Sequence, residues 1–323
     1  MPVSKKLLPV LVLSCAALGA VIATSVYIFL DSLCESNYRF INSHLVCHGD
    51  PVIEKTSYRA LEDDLRSFID TERGAGRLRD AGVYFRDLED GPVFGVNETL
   101  EYVPASLLKL PLAFVYLARA ERDPDILLEQ LSVAEPFWEF FPYFSPSEII
   151  DPTEPHSVET LIMHMLTHSD NNAYGVLQTH LYDIGEQGSI PQTFLELGFL
   201  NPTSLTDDTM SVRQYGSLFR MLYNASYLNA QLSEKVLEWL KDAEFNNGLV
   251  AGVPTDISVA HKFGERSLDN GEKQLHDCGI VYYPENPYIL CVMTRGADYD
   301  DLSSAIRRIS EKVYREVDSR RIR

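Results

Sequence analysis

The stretch Pro104-Ala105-Ser106-Leu107-Leu108-Lys109 opens a run that stays apolar on almost every side through Leu117. A helix that is apolar all round is typical of the buried core of a large domain. Residues three apart lie on one face of a helix, so Lys109 can reach the Oγ of Ser106. A lysine in such surroundings is costly unless it has a partner or a function. The stretch therefore predicts a core helix that holds a serine and a lysine side by side.

The segments on either side of this helix predict the fold. Periodic apolar positions indicate helices, and short alternating runs bounded by turn residues indicate strands. We predict strands at both ends of the domain with helices between them, which indicates an α+β fold: an antiparallel sheet with a mostly helical subdomain. The predicted helices are 57–74, the run after Ser106, one that begins at Ser157, two within 211–241 and 300–318; the predicted strands are 81–86, 93–96, 259–262, 279–283 and 288–293.

The first thirty residues differ from the rest of the chain. Lys5 and Lys6 precede Leu7 to Leu30, a segment of about 24 residues without a charge, which is long enough to cross a bilayer. Asp31 and Glu35 follow it, so the positive-inside rule places the N-terminus in the cytoplasm and the remaining chain outside.

We therefore predict a single-pass transmembrane anchor over 1–30, a juxtamembrane linker over 31–54 and one domain over 55–323, located outside the cytoplasmic membrane. A cleaved signal peptide is an alternative, although its apolar region is normally shorter. A lipidated form is another, because Val12-Leu13-Ser14-Cys15 loosely resembles a lipoprotein cleavage site.

Charge and cysteine content restrict the partners. The chain has 28 Lys and Arg against 47 Asp and Glu, a formal net charge of −19, which argues against nucleic acid and anionic lipid. Cys34 and Cys47 could close a small loop in an oxidising exterior. Cys278 and Cys291 lie diagonally on two predicted strands; a bridge and two buried thiols are both open, and we expect thiols. No cysteine spacing resembles a zinc site, and we expect no cofactor.

Two further motifs accompany the serine and the lysine. Ser169-Asp170-Asn171 follows a predicted helix, and His261-Lys262-Phe263-Gly264 lies on a predicted strand. Each has a structural alternative: Ser, Asp and Asn favour helix N-caps, and a strand lysine is usually a surface residue. A serine hydroxyl needs a base beside it to act as a nucleophile, and a lysine serves only if burial or positive neighbours lower its pKa.

The order Ser-x-x-Lys, Ser-Asp-Asn and Lys-x-Gly resembles the class A β-lactamase catalytic domain, within the superfamily of penicillin-binding proteins and β-lactamases. The resemblance covers about residues 80–318. It implies that Ser106 is the nucleophile and Lys109 the acylation base, with Ser169 as a proton shuttle and Lys262 as a fixed positive charge near the substrate carboxylate.

The same resemblance assigns the remaining site residues. Asn171 would bind the side-chain amide of the substrate, and Asp170 would be structural. Gly264 would let the backbone approach closely, so that the N–H groups of Ser106 and Glu265 form an oxyanion hole.

The activity implied is acylation by β-lactams or related peptidoglycan-type amides, with β-lactam hydrolysis, by a catalytic domain that we expect to be monomeric. Three alternatives stay open: a D,D-peptidase-like penicillin-binding protein that deacylates poorly, a non-catalytic cell-wall binding module, and an amidase such as a glutaminase-like member of the superfamily.

Three features depart from the family pattern. The interval 173–208, where the family carries its deacylating glutamate, holds only Glu186 and Glu196, and neither has the expected neighbours. Phe263 replaces the hydroxyl residue of the Lys-Thr-Gly motif. Cys278 stands where the family has an arginine, for which Arg266 or Arg295 are possible substitutes.

Overall fold

The computed structural model describes residues 39–42, 58–89, 91–134, 142–198 and 209–321. The helices in this part of the chain are α1 (Arg59–Gly74), α2 (Lys109–Ala120), α3 (Val158–Thr167), α4 (Asn171–Asp183), α5 (Ser189–Glu196), α6 (Val212–Tyr223), α7 (Ala230–Lys241) and α8 (Tyr299–Arg321). The strands are β1 (Asp80–Asp87), β2 (Val93–Val96), β3 (Glu101–Tyr102), β4 (Gln130–Leu131), β5 (His156–Ser157), β6 (Met210–Ser211), β7 (Val259–Ser267), β8 (Lys273–Val281) and β9 (Tyr288–Gly296).

The five long strands form one antiparallel sheet in the order β2-β1-β9-β8-β7. The first and last parts of the domain meet where β1 pairs with β9, with Val83 opposite Val292. The helices between β2 and β7 form the subdomain beside the sheet. This arrangement confirms the predicted α+β fold with an antiparallel sheet.

Four of the strands are longer than the sequence pattern predicts, and the difference is largest for β7 and β8. The β7 strand continues to Ser267, and β8 begins at Lys273 and not at Gly279. The added part of β8 includes the polar residue Asp277, which the sequence pattern does not assign to a strand. Inside the sheet it has a partner: its Oδ1 atom lies 2.7 Å from Nδ1 of His261 on β7, and both side chains are buried. A buried polar pair that is hydrogen-bonded carries little penalty, so the strand tolerates it.

The sheet has an apolar core on each face. One core packs β1, β8 and β9 against α1 and α8, through Leu65, Phe85 and Ile306 among others. The second core packs the other face against the helical subdomain, and it includes Tyr84 and the buried apolar residues of α2 other than Pro111. Both faces are covered, which is why the central strands are apolar on both sides.

The α2 helix is the predicted core helix. Leu110, Phe114 and Leu117 are completely buried, and the Tyr116 hydroxyl donates a 2.6 Å hydrogen bond to the Leu177 carbonyl in α4. The helix begins at Lys109, whereas Ser106 lies in the 3₁₀ turn Ala105–Leu108 that leads into it. Residues i and i+3 of a 3₁₀ turn are aligned, so the serine and the lysine still share one face.

The expectation of two buried thiols at Cys278 and Cys291 is wrong. The register pairs Val281 with Tyr288 at the turn, and it therefore places Cys278 directly opposite Cys291 and not diagonally from it. The two cysteines are joined by a disulfide bond between β8 and β9. A register shift of two residues separates the predicted arrangement from the observed one, and a shift of two keeps both side chains on the same face.

Residues 39–42, within the predicted linker, pack on the domain. The Glu234 carboxylate in α7 accepts hydrogen bonds from the backbone N–H groups of Arg39, Phe40 and Ile41. The Tyr282 hydroxyl donates a 3.0 Å hydrogen bond to the Phe40 carbonyl.

The predicted anchor over 1–30 and Cys34 and Cys47 lie outside the described residues. Within the part of the chain that the structure describes, we find no helix with the length and apolar character needed to cross a membrane. The predicted division into anchor, linker and domain stays a prediction.

A substitution at Gly252 tests how closely α8 packs on the 3₁₀ turn Val250–Gly252. A Cβ atom at Gly252 would lie 2.4 Å from the Ser310 Cβ and 2.6 Å from the Arg307 carbonyl oxygen. Because the second contact is backbone, we expect Gly252→Ala to lower the free energy of unfolding by about 1–3 kcal/mol in urea denaturation. Gly74→Ala is the control, since its Cβ meets nothing within 4 Å. Equal stability of the two variants would contradict the close packing.

Candidate active site

Ser106 is held in a strained turn at the start of α2. The residue before it, Ala105, has φ of 51°, in the left-handed region that non-glycine residues rarely adopt. Backbone strain of this kind costs on the order of 1–3 kcal/mol and persists only where the surroundings enforce it. The buried Tyr215 hydroxyl in α6 donates a 3.0 Å hydrogen bond to the Leu107 carbonyl and fixes the turn from the helical side.

The Lys109 amine is surrounded by hydrogen-bonding partners that dictate its orientation. Its Nζ lies 2.6 Å from the Ser169 carbonyl oxygen and 2.7 Å from Asn171 Oδ1, and both oxygens only accept. It also lies 2.9 Å from Ser106 Oγ. A neutral amine has two N–H groups and one lone pair. When the two acceptors take both N–H groups, the lone pair is left for the Ser106 hydroxyl.

The protonation of Lys109 fits this orientation. Complete burial lowers the pKa of Lys109 from its ordinary 10.5 to about 7, while the charges of Asp170 and Glu265 oppose the shift. A substantial fraction of the amine is therefore neutral near neutral pH, where an exposed lysine would be almost fully charged. Lys109 thus has both the geometry and the pKa of a group that can accept a proton from Ser106.

Ser169 connects Lys109 to a second buried lysine. Lys262 Nζ lies 2.8 Å from Ser169 Oγ and donates a 3.0 Å hydrogen bond to the Phe263 carbonyl. Lys109 Nζ lies 3.2 Å from the same Ser169 Oγ. Burial, and then the charge of Lys109, lower the pKa of Lys262 well below its ordinary value, whereas Asp277 opposes the shift. The structure thus joins Ser106, Lys109, Ser169 and Lys262 in one continuous chain of contacts.

Asp170 organises the Ser-Asp-Asn motif from inside the protein. Its buried carboxylate accepts hydrogen bonds from the backbone N–H groups of Asn172 and Ala173, and so it caps α4. Its second oxygen accepts from the Ile150 N–H at 2.8 Å. The cap fixes Asn171 as the first residue of α4, with its side-chain oxygen on Lys109.

The third motif lies against the 3₁₀ turn that carries Ser106, because residue 264 is a glycine. A Cβ atom there would lie 2.8 Å from the Pro104 carbonyl oxygen and 3.1 Å from the Leu107 nitrogen. Both are backbone atoms that cannot give way, so only glycine permits the contact between β7 and the turn. The close approach brings the next residue, Glu265, to the border of the site.

The two glutamates of the 173–208 interval have other partners. Glu186 forms a 2.7 Å ion pair with Arg119. Glu196 accepts hydrogen bonds from Gln192 at 2.9 Å and from the Tyr227 hydroxyl at 3.0 Å. These two bonds, that of Gln192 first, lower the pKa of Glu196, which makes it a poorer base. Residues 199–208 lie outside the described part of the chain.

Arg266 and Arg295, the two possible substitutes for the arginine that the family has at the position of Cys278, lie in different surroundings. The Arg295 Nη2 atom donates a 3.1 Å hydrogen bond to the Glu101 carbonyl, and its guanidinium lies 4.6 Å from the centroid of the Tyr102 ring. Arg266 is exposed on β7, two residues beyond Gly264.

Sequence reasoning did not identify the side chains that line the outer side of β7. Phe245 stacks on Phe263 with ring centroids 4.3 Å apart, and Phe144 contacts Phe245 edge-on at 4.9 Å. Phe144 also donates its backbone N–H to the Glu265 carboxylate. These residues come from three separate parts of the sequence, and the departure at Phe263 was the one signal that pointed to them.

Comparison with known proteins agrees with the fold and shows the family. A family model, Beta-lactamase2, described as the beta-lactamase enzyme family, matches residues 60–317. A search of curated proteins finds no significant match.

Several solved structures share the fold. PBP-A is 21% identical with a TM-score of 0.67, over 84% of this chain and 99% of that protein. A β-lactamase from Xanthomonas campestris pv. campestris is 22% identical with a TM-score of 0.66, over 80% of this chain and 98% of that one. The TLA-3 extended-spectrum β-lactamase is 18% identical with a TM-score of 0.69, over 81% and 99%. At these identities the structural likeness establishes the fold, and the family match covers well over half of the chain. The protein therefore belongs to the β-lactamase enzyme family, as a serine hydrolase of the β-lactamase-like type.

Proposed function

We propose that the protein forms an acyl-enzyme on Ser106 with β-lactams or related peptidoglycan-type amides. The observation that carries the proposal is the Lys109 amine, which lies 2.9 Å from Ser106 Oγ and has a pKa of about 7. A non-catalytic binding module would have no use for a buried amine with its lone pair directed at a serine. A structural neighbour, a PBP-A mutant, is described as an acyl-enzyme complex with penicillin G, which supports the same chemistry here.

The acylation step follows from the chain of contacts. The Ser106 Oγ attacks the carbonyl carbon while Lys109 takes the hydroxyl proton, and the carbonyl oxygen becomes an oxyanion. The backbone N–H groups of Ser106 and Glu265 stabilise that oxyanion. The C–N bond then breaks, the leaving nitrogen takes the proton of Ser169 Oγ, and Lys109 returns its proton to Ser169. Lys262, 2.8 Å from Ser169 Oγ, orients this hydroxyl.

We propose that release of the acyl group is slow. Deacylation needs a base that activates water, and both glutamates of the 173–208 interval are held by other side chains. Asp170 is held as well, because its oxygens cap α4 and bind Ile150. Because these three carboxylates are held by other groups, we favour a penicillin-binding type of protein over an efficient β-lactamase.

We also propose that the domain works outside the cytoplasmic membrane, tethered by the apolar segment 7–30. The lysines before that segment and the acidic residues after it support this orientation. The disulfide between Cys278 and Cys291 also supports it, because such bonds persist in oxidising compartments.

Intact mass spectrometry of the full-length protein in mild detergent tests the nucleophile and the release step together. With penicillin G we expect one adduct that persists for hours, and no adduct on Ser106→Ala, whose circular dichroism should match the wild type. Ser319→Ala, at an exposed serine, is the matched control and should be labelled normally. Labelling of Ser106→Ala would refute the assignment of the nucleophile, and rapid loss of the adduct would refute slow release.

The pH dependence of acylation tests the base. Only neutral Lys109 accepts a proton, so we expect the second-order acylation rate to rise with pH through about 7 and then to level off. Lys109→Ala should lower the rate by about 10²–10⁴-fold and remove this inflection. Lys312→Ala, which removes a surface ion pair, is the control and should keep both rate and profile. A rate that is constant from about pH 5.5 to 8.5 would point to a different base.

The location is tested with a fluorescent penicillin that does not cross membranes. In intact spheroplasts that express the full chain we expect Ser106-dependent labelling in the membrane fraction. A variant that lacks residues 7–30 should stay in the cytoplasm and be labelled only after lysis. Labelling of the full chain that requires lysis would contradict the proposed orientation.

A further inference from the structure

An acidic and aromatic wall borders the outer edge of the site. We define it by Phe144, Phe245, Phe263 and Glu265, which contact one another through stacked rings and one hydrogen bond. Among the strands that the structure describes, β7 is the last of the sheet, so the edge that it presents can align with a bound substrate. Side chains alternate along a strand, which puts Lys262 and Gly264 on one side of this edge and the wall on the other.

The Glu265 carboxylate is buried and incompletely paired. The residue is 7% exposed, and its Oε1 atom accepts a 3.1 Å hydrogen bond from the Phe144 N–H. Its Oε2 atom is buried and accepts no hydrogen bond of normal geometry from the residues that the structure describes. A buried carboxylate oxygen without a donor is costly, so this atom at the border of the site points to a donor on the ligand.

Glu265 lies within electrostatic range of the catalytic lysine. Burial raises the pKa of the Glu265 carboxyl, and the backbone N–H groups of Phe144 and Tyr143 and the charge of Lys109 oppose that rise. The effect is mutual, since Glu265 also raises the pKa of Lys109. Glu265 directly follows Gly264, whose backbone lies against the turn that carries Ser106, so the residue borders the site, and its own backbone N–H is the one that we propose for the oxyanion hole.

A substrate carboxylate would find few donors at this wall. Phe263 presents a ring and no hydroxyl. The Lys262 ammonium lies 4.8 Å from the centroid of that ring and directs hydrogen bonds to Ser169 Oγ and to the Phe263 carbonyl. Burial and Lys109 also favour the neutral form of Lys262, which weakens it as an anchor for an anion. The adjacent Glu265 carboxylate would repel an anion directly.

We propose that Glu265 selects substrates that present an uncharged or cationic hydrogen-bond donor, such as a carboxamide or an amine, where β-lactams carry their carboxylate. The donor would pair with the Glu265 Oε2 atom, while the aromatic rings of the wall pack on the apolar part of the same group. This inference rests on the proposed acylation of Ser106, and it names the substrate class of that site.

The test compares two forms of one penicillin, the free acid and the carboxamide made at the same carboxyl group. Acylation rates of the full-length protein are measured by intact mass at about pH 8, where the Lys109 base is mostly neutral. Because the two compounds differ in intrinsic reactivity, the measured quantity is the amide-to-acid rate ratio of each variant relative to the wild type. We expect Glu265→Gln to lower this ratio by about 10- to 100-fold, mainly through faster reaction with the acid.

Two further variants complete the design. Glu265→Thr removes the charge and introduces a smaller side chain, and it should also lower the amide-to-acid rate ratio. This second variant keeps the test valid if Glu265→Gln misfolds. Glu311→Gln removes a carboxylate that pairs with Arg315 on the surface of α8, and it should leave the ratio unchanged.

The outcomes separate this inference from the proposed function. Absence of adducts with both compounds in every variant would refute the acylation itself. Acylation with an unchanged ratio in both Glu265 variants would overturn the selectivity role and leave the nucleophile intact. A longer-lived adduct in Glu265→Gln, with no change in the ratio, would assign Glu265 to deacylation and would also overturn it.

Discussion

The site depends on one constraint, the burial of the Lys109 amine among groups that accept its hydrogens. An amine in water is protonated and cannot take a proton from a serine. Inside the core, desolvation lowers its pKa, and the Ser169 carbonyl and Asn171 side chain fix which way its lone pair points. The helix that carries the lysine therefore has to be enclosed on all sides, which explains why α2 is apolar almost throughout.

The sheet supplies the second half of the site through close backbone contact. The Gly264 position lets β7 touch the turn before α2, and the strained backbone at Ala105 and Ser169 brings both serines toward the two lysines. Neither half could be formed by one element alone. The fold joins a strand, a 3₁₀ turn and a helix N-terminus from positions about 60 and 90 residues apart, and tertiary packing has to support the strain at each.

The sequence predicted those parts of the arrangement that depend on residues close together in the chain. Helical spacing identified α2 and the pair Ser106 and Lys109, and strand and turn signals identified the antiparallel sheet. The disulfide was missed because a register shift of two residues turns a diagonal pair into a directly opposed one. The beginning of β8 was missed because Asp277 looks like a loop residue until His261 is placed beside it. The anchor, the linker and the individual roles of the site residues stay predictions.

The wall around Glu265 could not be predicted from the sequence, because the role of each of its residues depends on contacts with residues that are distant in the chain. From the sequence alone, the glutamate after Gly264 has a role only through its backbone N–H, because the resemblance to class A β-lactamases assigns a function to that group and none to the side chain. Its side chain matters because Phe144, about 120 residues earlier, approaches it and because Phe263 offers no hydrogen bond. The groups that we propose for acylation and those that we propose for selection thus obey different constraints: the first need an enclosed amine, and the second need only the edge of β7. Under both proposals, substitution along that edge would change which substrate is accepted and leave the chemistry at Ser106 the same.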